Sequence, residues 1–100
     1  MSPDPSMSAS GETTVTVRYW ASARAAAGVA QDRFAAPGPV SLAALIDLAV
    51  TRHDESAGLR KVLHVCSVLV DDRPVRSSDP ADVLVEPGAS VEFLPPFAGG

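Results

Sequence analysis

The stretch Ser41-Leu42-Ala43-Ala44-Leu45-Ile46-Asp47-Leu48-Ala49 decides the fold class. Leu42, Leu45, Ile46 and Ala49 fall at i, i+3, i+4 and i+7, one apolar stripe on a helix. Ser41 stands just before the first apolar residue, where a capping hydroxyl is wanted. A single stripe needs one opposing apolar surface, and the flanking sequence supplies strands. Upstream, Thr13-Thr14-Val15-Thr16-Val17-Arg18-Tyr19 alternates and is rich in β-branched residues, the pattern of a half-buried strand. Val15, Val17 and Tyr19 share one of its faces; Thr16, Arg18 and Trp20 share the other. Ala21 to Ala27 predicts a short helix with Ser22 as its cap and Gly28 as its stop. A short strand is expected near Gln31 to Phe34, followed by the turn Pro37-Gly38-Pro39.

Downstream, the helix is expected to end between Arg52 and Glu55, and Leu59 to Leu63 predicts a brief further helix. Val65-Cys66-Ser67-Val68-Leu69-Val70 is almost continuously apolar, which predicts a strand at the centre of the sheet. Asp71-Asp72 turns the chain into Arg73-Pro74-Val75, a short edge strand, because proline offers no ladder donor. Ser78 to Val85 reads as a loop with some turn structure, Pro87-Gly88 as a turn and Val91 to Leu94 as the last strand. Periodicity thus supports an α+β domain with one main helix on a sheet, and no internal repeat is visible.

One hundred residues fit a single small domain. The chain is 46% hydrophobic but has only one Trp, one Tyr and three Phe, so its core must be built of Val, Leu, Ile and Ala. A net charge of −4 lacks the basic stripe that nucleic-acid binding requires. The single cysteine, Cys66, excludes an internal disulfide and a multi-cysteine metal site, and its apolar surroundings mark it as a small buried hydrophobe. His64 would share a strand face with it, but nothing further builds a catalytic pair. His53 and His64 are too few for a metal cluster. No apolar run is long enough to span a bilayer, and the N-terminus lacks the features of a signal peptide, so a cytoplasmic location is expected.

Residues 1–12 are rich in Ser, Pro and Gly without periodicity and are expected to form a disordered arm. The folded domain is expected over 13–94. Residues 95–100, Pro95-Pro96-Phe97-Ala98-Gly99-Gly100, read as an extended tail. The two prolines make a stiff spacer, and two glycines without Cβ atoms give the least hindered carboxylate a chain can offer. Such a tail is suited to insertion into a narrow channel on another protein.

The segment Phe93-Leu94-Pro95-Pro96-Phe97-Ala98-Gly99-Gly100 resembles the ending of the MoaD/ThiS sulfur carriers. Val15 to Gly28, a strand running into a short arginine-bearing helix closed by glycine, resembles the molybdopterin-synthase branch of that family most. The resemblance covers about residues 14 to 100. It implies a β-grasp, ubiquitin-like fold: a mixed sheet of about five strands on one main helix, with the Gly-Gly tail protruding. It also implies a role for Gly100, whose carboxylate is adenylated with ATP and converted to a thiocarboxylate that donates sulfur to a pterin precursor. Gly99 gives clearance, and Phe97 and Ala98 seat the tail.

The chain has no P-loop and no cluster of phosphate-binding glycines. ATP is therefore expected to act on an activating enzyme of the ubiquitin-activating type, and this chain to bind no cofactor or metal. The implied partners are that adenylyltransferase, a sulfur-donor system and the large subunit of molybdopterin synthase. Trp20 and Arg18 are candidates for the partner surface, with Pro74 and Val75 on the same patch; the alternative for Trp20 is packing in its own domain. Arg24 matches the arginine of the family's short helix and either meets the activating enzyme or makes a helix-end ion pair. The alternatives for the whole chain are a carrier for thiamin or cysteine synthesis, a ubiquitin-like modifier, or an interaction module.

Overall fold

The computed structural model describes residues 14–75 and 79–96. The expected N-terminal arm, the start of the expected Ser78 loop and the tail residues Phe97, Ala98, Gly99 and Gly100 lie outside them. The alternating segment forms β1 (Thr14–Tyr19), with Val15, Val17 and Tyr19 buried and Arg18 exposed. Helix α1 follows (Ala21–Ala27) and ends on Gly28, which takes the left-handed conformation at φ 80°. Its amide there donates to the Arg24 carbonyl at 2.8 Å. Ser22 is not the cap. The chain leaves β1 through extended Trp20, which is the N-cap without a side-chain bond, and turns at Ala21 with φ 50°. The Ser22 hydroxyl is thereby carried inside the helix.

Strand β2 (Gln31–Ala35) returns antiparallel to β1. The two-residue strand β3 (Val40–Ser41) leads into α2 (Leu42–Arg52), where the Ser41 hydroxyl accepts the Ala44 amide at 3.0 Å. The stripe read from the sequence is buried: Leu42, Leu45, Ile46 and Ala49 are each 3% exposed or less. Helix α3 (Ala57–Val65) is longer than expected and is capped by Ser56, whose hydroxyl accepts the Leu59 amide. Strand β4 (Ser67–Val70) and β5 (Arg73–Pro74) form a two-residue hairpin. Asp71 and Asp72 have φ 49° and 68°, the paired positive φ of a type I′ turn. A 3₁₀ turn (Pro80–Asp82) precedes β6 (Leu84–Val85), which pairs with β3 in a small second sheet. Pro87-Gly88 makes the next turn, with Gly88 at φ 88° and the Ala89 amide on the Glu86 carbonyl, a type II arrangement. Strand β7 (Ser90–Leu94) closes the fold.

The main sheet has the order β2-β1-β7-β4-β5, with β7 parallel to β1 and antiparallel to β4. This mixed five-stranded sheet with α2 across one face is the expected β-grasp arrangement. The centre, however, is β7 and not Val65–Val70. The apolar run is divided: Val65 ends α3 and is 62% exposed, Cys66 caps that helix, and only the last four residues are strand. All four are half-buried, because β4 lies one strand from the edge. In β7 the inward residues Val91 and Phe93 are fully buried. The Phe93 ring stacks on Tyr19, centroids 6.3 Å apart and planes at 18°.

Candidate functional site

Strand pairing builds a row across the face of the sheet opposite the core. Gln31 of β2 lies beside Arg18 of β1, Arg18 beside Glu92 of β7, Glu92 beside Leu69 of β4, and Leu69 beside Pro74 of β5. Directly paired residues point to the same side of a sheet. The adjacent row, Tyr19-Phe93-Val68, faces the core. The register therefore places Arg18 and Pro74, 56 positions apart in sequence, on one outer face. Val75 continues the β5 pairing, its amide donating to the Val68 carbonyl at 2.9 Å. It falls in the row of Tyr19 and Phe93 and is half-buried.

Trp20 stands at the end of β1 on this outer side and is 43% exposed. Its indole Nε1 donates to Glu92 Oε1 at 3.1 Å, and its amide donates to the Phe93 carbonyl at 3.0 Å. It is thus held at the surface rather than packed in the core. Its backbone is fixed to the strand that carries the tail: β7 runs from Leu94 straight into exposed Pro95-Pro96, and Leu94 pairs with Ser67 on the other side. The root of the tail therefore emerges from the middle of the sheet, between the ends of β1 and β4. Arg24 on α1 is exposed and makes no helix-end ion pair among the described residues. Instead, Arg18, Trp20 and Arg24 line a common cleft with Tyr19, Ala30 and Gln31.

A polar cluster that sequence reading missed lies beneath the β1 side of this end. Tyr19 Oη donates to Asp32 Oδ2 at 2.8 Å, His53 Nε2 lies 2.7 Å from the same oxygen, and Arg52 Nη1 lies 3.5 Å from Oδ1. Arg52 also donates to the Arg33 carbonyl and covers the Phe34 ring at 4.3 Å. Burial acts to raise the Asp32 pKa, but the bonds from His53 and Tyr19 and the nearby positive charges outweigh it and hold the carboxyl below its ordinary range. The Tyr19 phenol is pushed well above its usual value by burial and by Asp32. The only available signal for this cluster was Asp32 at an inward or edge position of a short strand, which names no partner.

Cys66 is half-buried at the end of α3 rather than inside a strand. Burial pushes its thiol pKa up, the opposite of what a nucleophile needs. His64 belongs to α3 and so shares no strand face with it. Among the described residues no group of three His, Cys, Asp or Glu could hold a metal, and no helix is long and apolar enough to cross a membrane.

Comparison with known proteins bears on this arrangement. The ThiS family profile matches residues 17–100. The molybdopterin synthase sulfur carrier subunit of Aspergillus niger is 33% identical over 92 residues, covering 91% of this chain and 99% of that protein. Subunit 1 of the molybdopterin-converting factor of Helicobacter pylori, solved in complex with subunit 2, superposes with a TM-score of 0.58 at 22% identity, covering 87% of this chain and 99% of that one. Small archaeal modifier protein 1 of Haloferax volcanii gives a TM-score of 0.66 at 16% identity, covering 85% of this chain and 99% of that one. The two structures establish the ubiquitin-like β-grasp fold.

Proposed function

Because the chain belongs to the ThiS family, we propose that it is the sulfur-carrier subunit of a molybdopterin synthase, acting through a C-terminal thiocarboxylate on Gly100. The observation that carries this reading is the match, over nine-tenths of the chain, to a relative of that name. The fold agrees with it: the central strand hands the chain directly to exposed Pro95-Pro96, which leave the sheet next to an exposed aromatic residue, Trp20.

In this mechanism the Gly100 carboxylate attacks the α-phosphorus of ATP on an activating adenylyltransferase. Pyrophosphate leaves, and an acyl-adenylate forms. Sulfide-level sulfur from a donor system then attacks the acyl carbon and displaces AMP, which leaves the thiocarboxylate directly. The carrier next docks on the large subunit, where its sulfur passes to the pterin precursor and the carboxylate is regenerated. This chain contributes no nucleotide chemistry and binds no cofactor; it contributes the acyl group and the surface that delivers it. Gly99 leaves room for in-line attack at Gly100, and Phe97 and Ala98 seat the tail. Trp20, Arg18 and Pro74 form the docking face, and Val75 supports Pro74 from the core side. Every step is cytoplasmic.

The test is the intact mass of the chain with a free C-terminus after incubation with ATP, a sulfur source and the host's activating enzyme. Replacement of one oxygen by sulfur, localised to Gly100, is expected, and addition of pterin precursor and large subunit should discharge it. Unchanged mass with a demonstrably active enzyme overturns the reading. Isopeptide conjugates to lysines in extract would instead indicate a modifier, a role that the β-grasp fold also serves.

A further inference from the structure

We infer that the cleft at the end of β1 is a carboxylate site: Arg18 and Arg24 together hold an aspartate or glutamate side chain of the protein that receives the tail. This rests on the carrier reading and adds the chemistry of the contact. The cleft has a volume of about 150 Å³, and among the described residues no carboxylate lines it. Arg18 comes from β1 and Arg24 from α1, so two separate elements each bring an arginine to the lining of one small space. Among the described residues neither guanidinium has an ion-pair partner, whereas Arg52 and Arg60 are tied to Asp32 and Asp47. Glu92 is beside Arg18 in the outer row, yet its Oε1 accepts the Trp20 indole. Arg33 and Arg73 also lack ion pairs among the described residues; what distinguishes Arg18 and Arg24 is the shared cavity.

Two arginines lining one cleft, on a chain of net charge −4, form a local field that an anion complements. Their fork geometry suits a carboxylate, which each can grip through paired N–H groups. The space takes a short acidic side chain and falls below the roughly 300 Å³ at which small-molecule and cofactor pockets begin. Position identifies the source. The Trp20 amide is bonded to the Phe93 carbonyl, so the cleft opens within one strand of the tail root. A protein that takes up the tail must cover this end of the sheet and present a side chain to the cleft, with the Trp20 ring as one wall.

The experiment is calorimetric titration of the host's molybdopterin-synthase large subunit with wild-type carrier, R18A/R24A and R18K/R24K, at low and high salt. The double alanine variant is expected to bind about 10- to 100-fold more weakly at low salt and to lose most of the wild-type salt dependence. The lysine variant should keep the salt dependence and recover part of the affinity. Wild-type affinity and salt dependence in R18A/R24A would overturn the inference and leave a solvated arginine pair only. So would a weakened affinity whose salt dependence is unchanged, since that reports lost packing. Should the double variant melt early, R18Q and R24Q singly carry the same comparison. Failure of the carrier reading is seen separately, as the missing oxygen-to-sulfur mass shift in the wild-type chain. Absence of wild-type binding overturns this inference alone, since it concerns the contact and not the acyl chemistry.

Discussion

Asp32 gathers donors from two other elements onto one carboxylate: Tyr19 from β1 and Arg52 and His53 from the end of α2. Its side chain is 10% exposed, so these bonds act in a shielded setting where a charged hydrogen bond contributes about 1.5–3 kcal/mol. Its folded pKa lies below the ordinary value, which fixes the sign of the pH dependence. The stabilisation is fully present above the unfolded carboxylate pKa of about 3.9 and is lost as the pH falls through the lower folded value. Asp32→Asn should therefore cost roughly 1–3 kcal/mol at neutral pH and progressively less in acid, as read by urea unfolding at a series of pH values. A cost that stays constant into strong acid would contradict this account. The cluster was illegible in the sequence because Tyr19, Arg52 and His53 lie 13 to 21 positions from Asp32 and on other elements. Tyr19 could be placed in the core by alternation, but alternation does not name the acceptor its hydroxyl finds. Gly100, by contrast, is nominated by sequence alone, since its proposed chemistry depends on what it lacks, and it lies outside the described residues.

At the scale of elements, local rules succeeded at Gly28 and Ser41 and failed at Ser22, where the cap is Trp20. Gly28 takes φ 80°, and nothing lies within 4 Å of where a Cβ would stand. Gly28→Ala should then cost only the backbone strain, about 1–2 kcal/mol, measurable as a lower urea midpoint with an unchanged slope. Ser41→Ala removes the cap of α2 and should cost about 1 kcal/mol. The misreading of Val65–Val70 has a physical cause. A short apolar run fits a buried strand and the end of a buried helix equally well, and here it is both. Helix α3 consumes Val65, Cys66 ends it, and the strand that remains lies next to the two-residue edge. The shorter alternating run at Val91–Leu94 became the centre because β1 and β4 both pair with it, a long-range fact with no local signature. The outer row from Gln31 to Pro74 is of the same kind: it exists only once four pairings are set.

For the whole molecule, body and tail can be perturbed separately. Trp20→Ala removes an exposed ring and should change folding stability by no more than about 1 kcal/mol. It should weaken large-subunit binding by about 2 kcal/mol or more, as for an aromatic hot spot. Circular dichroism melts and titration on the same sample decide between this and a core role. Adding one residue after Gly100 turns its carboxylate into an amide and should abolish sulfur loading while leaving the melting curve unchanged; loading with the extra residue still attached would refute the assignment. The order of the sheet has a mechanical consequence. The tail is anchored to the central strand, with hydrogen-bonded neighbours on both sides. Traction on it along the strand loads two ladders at once in shear, instead of peeling one edge bond by bond. A partner that drew the tail into a narrow passage would thus pull against both ladders together, and the body would hold its shape under that load.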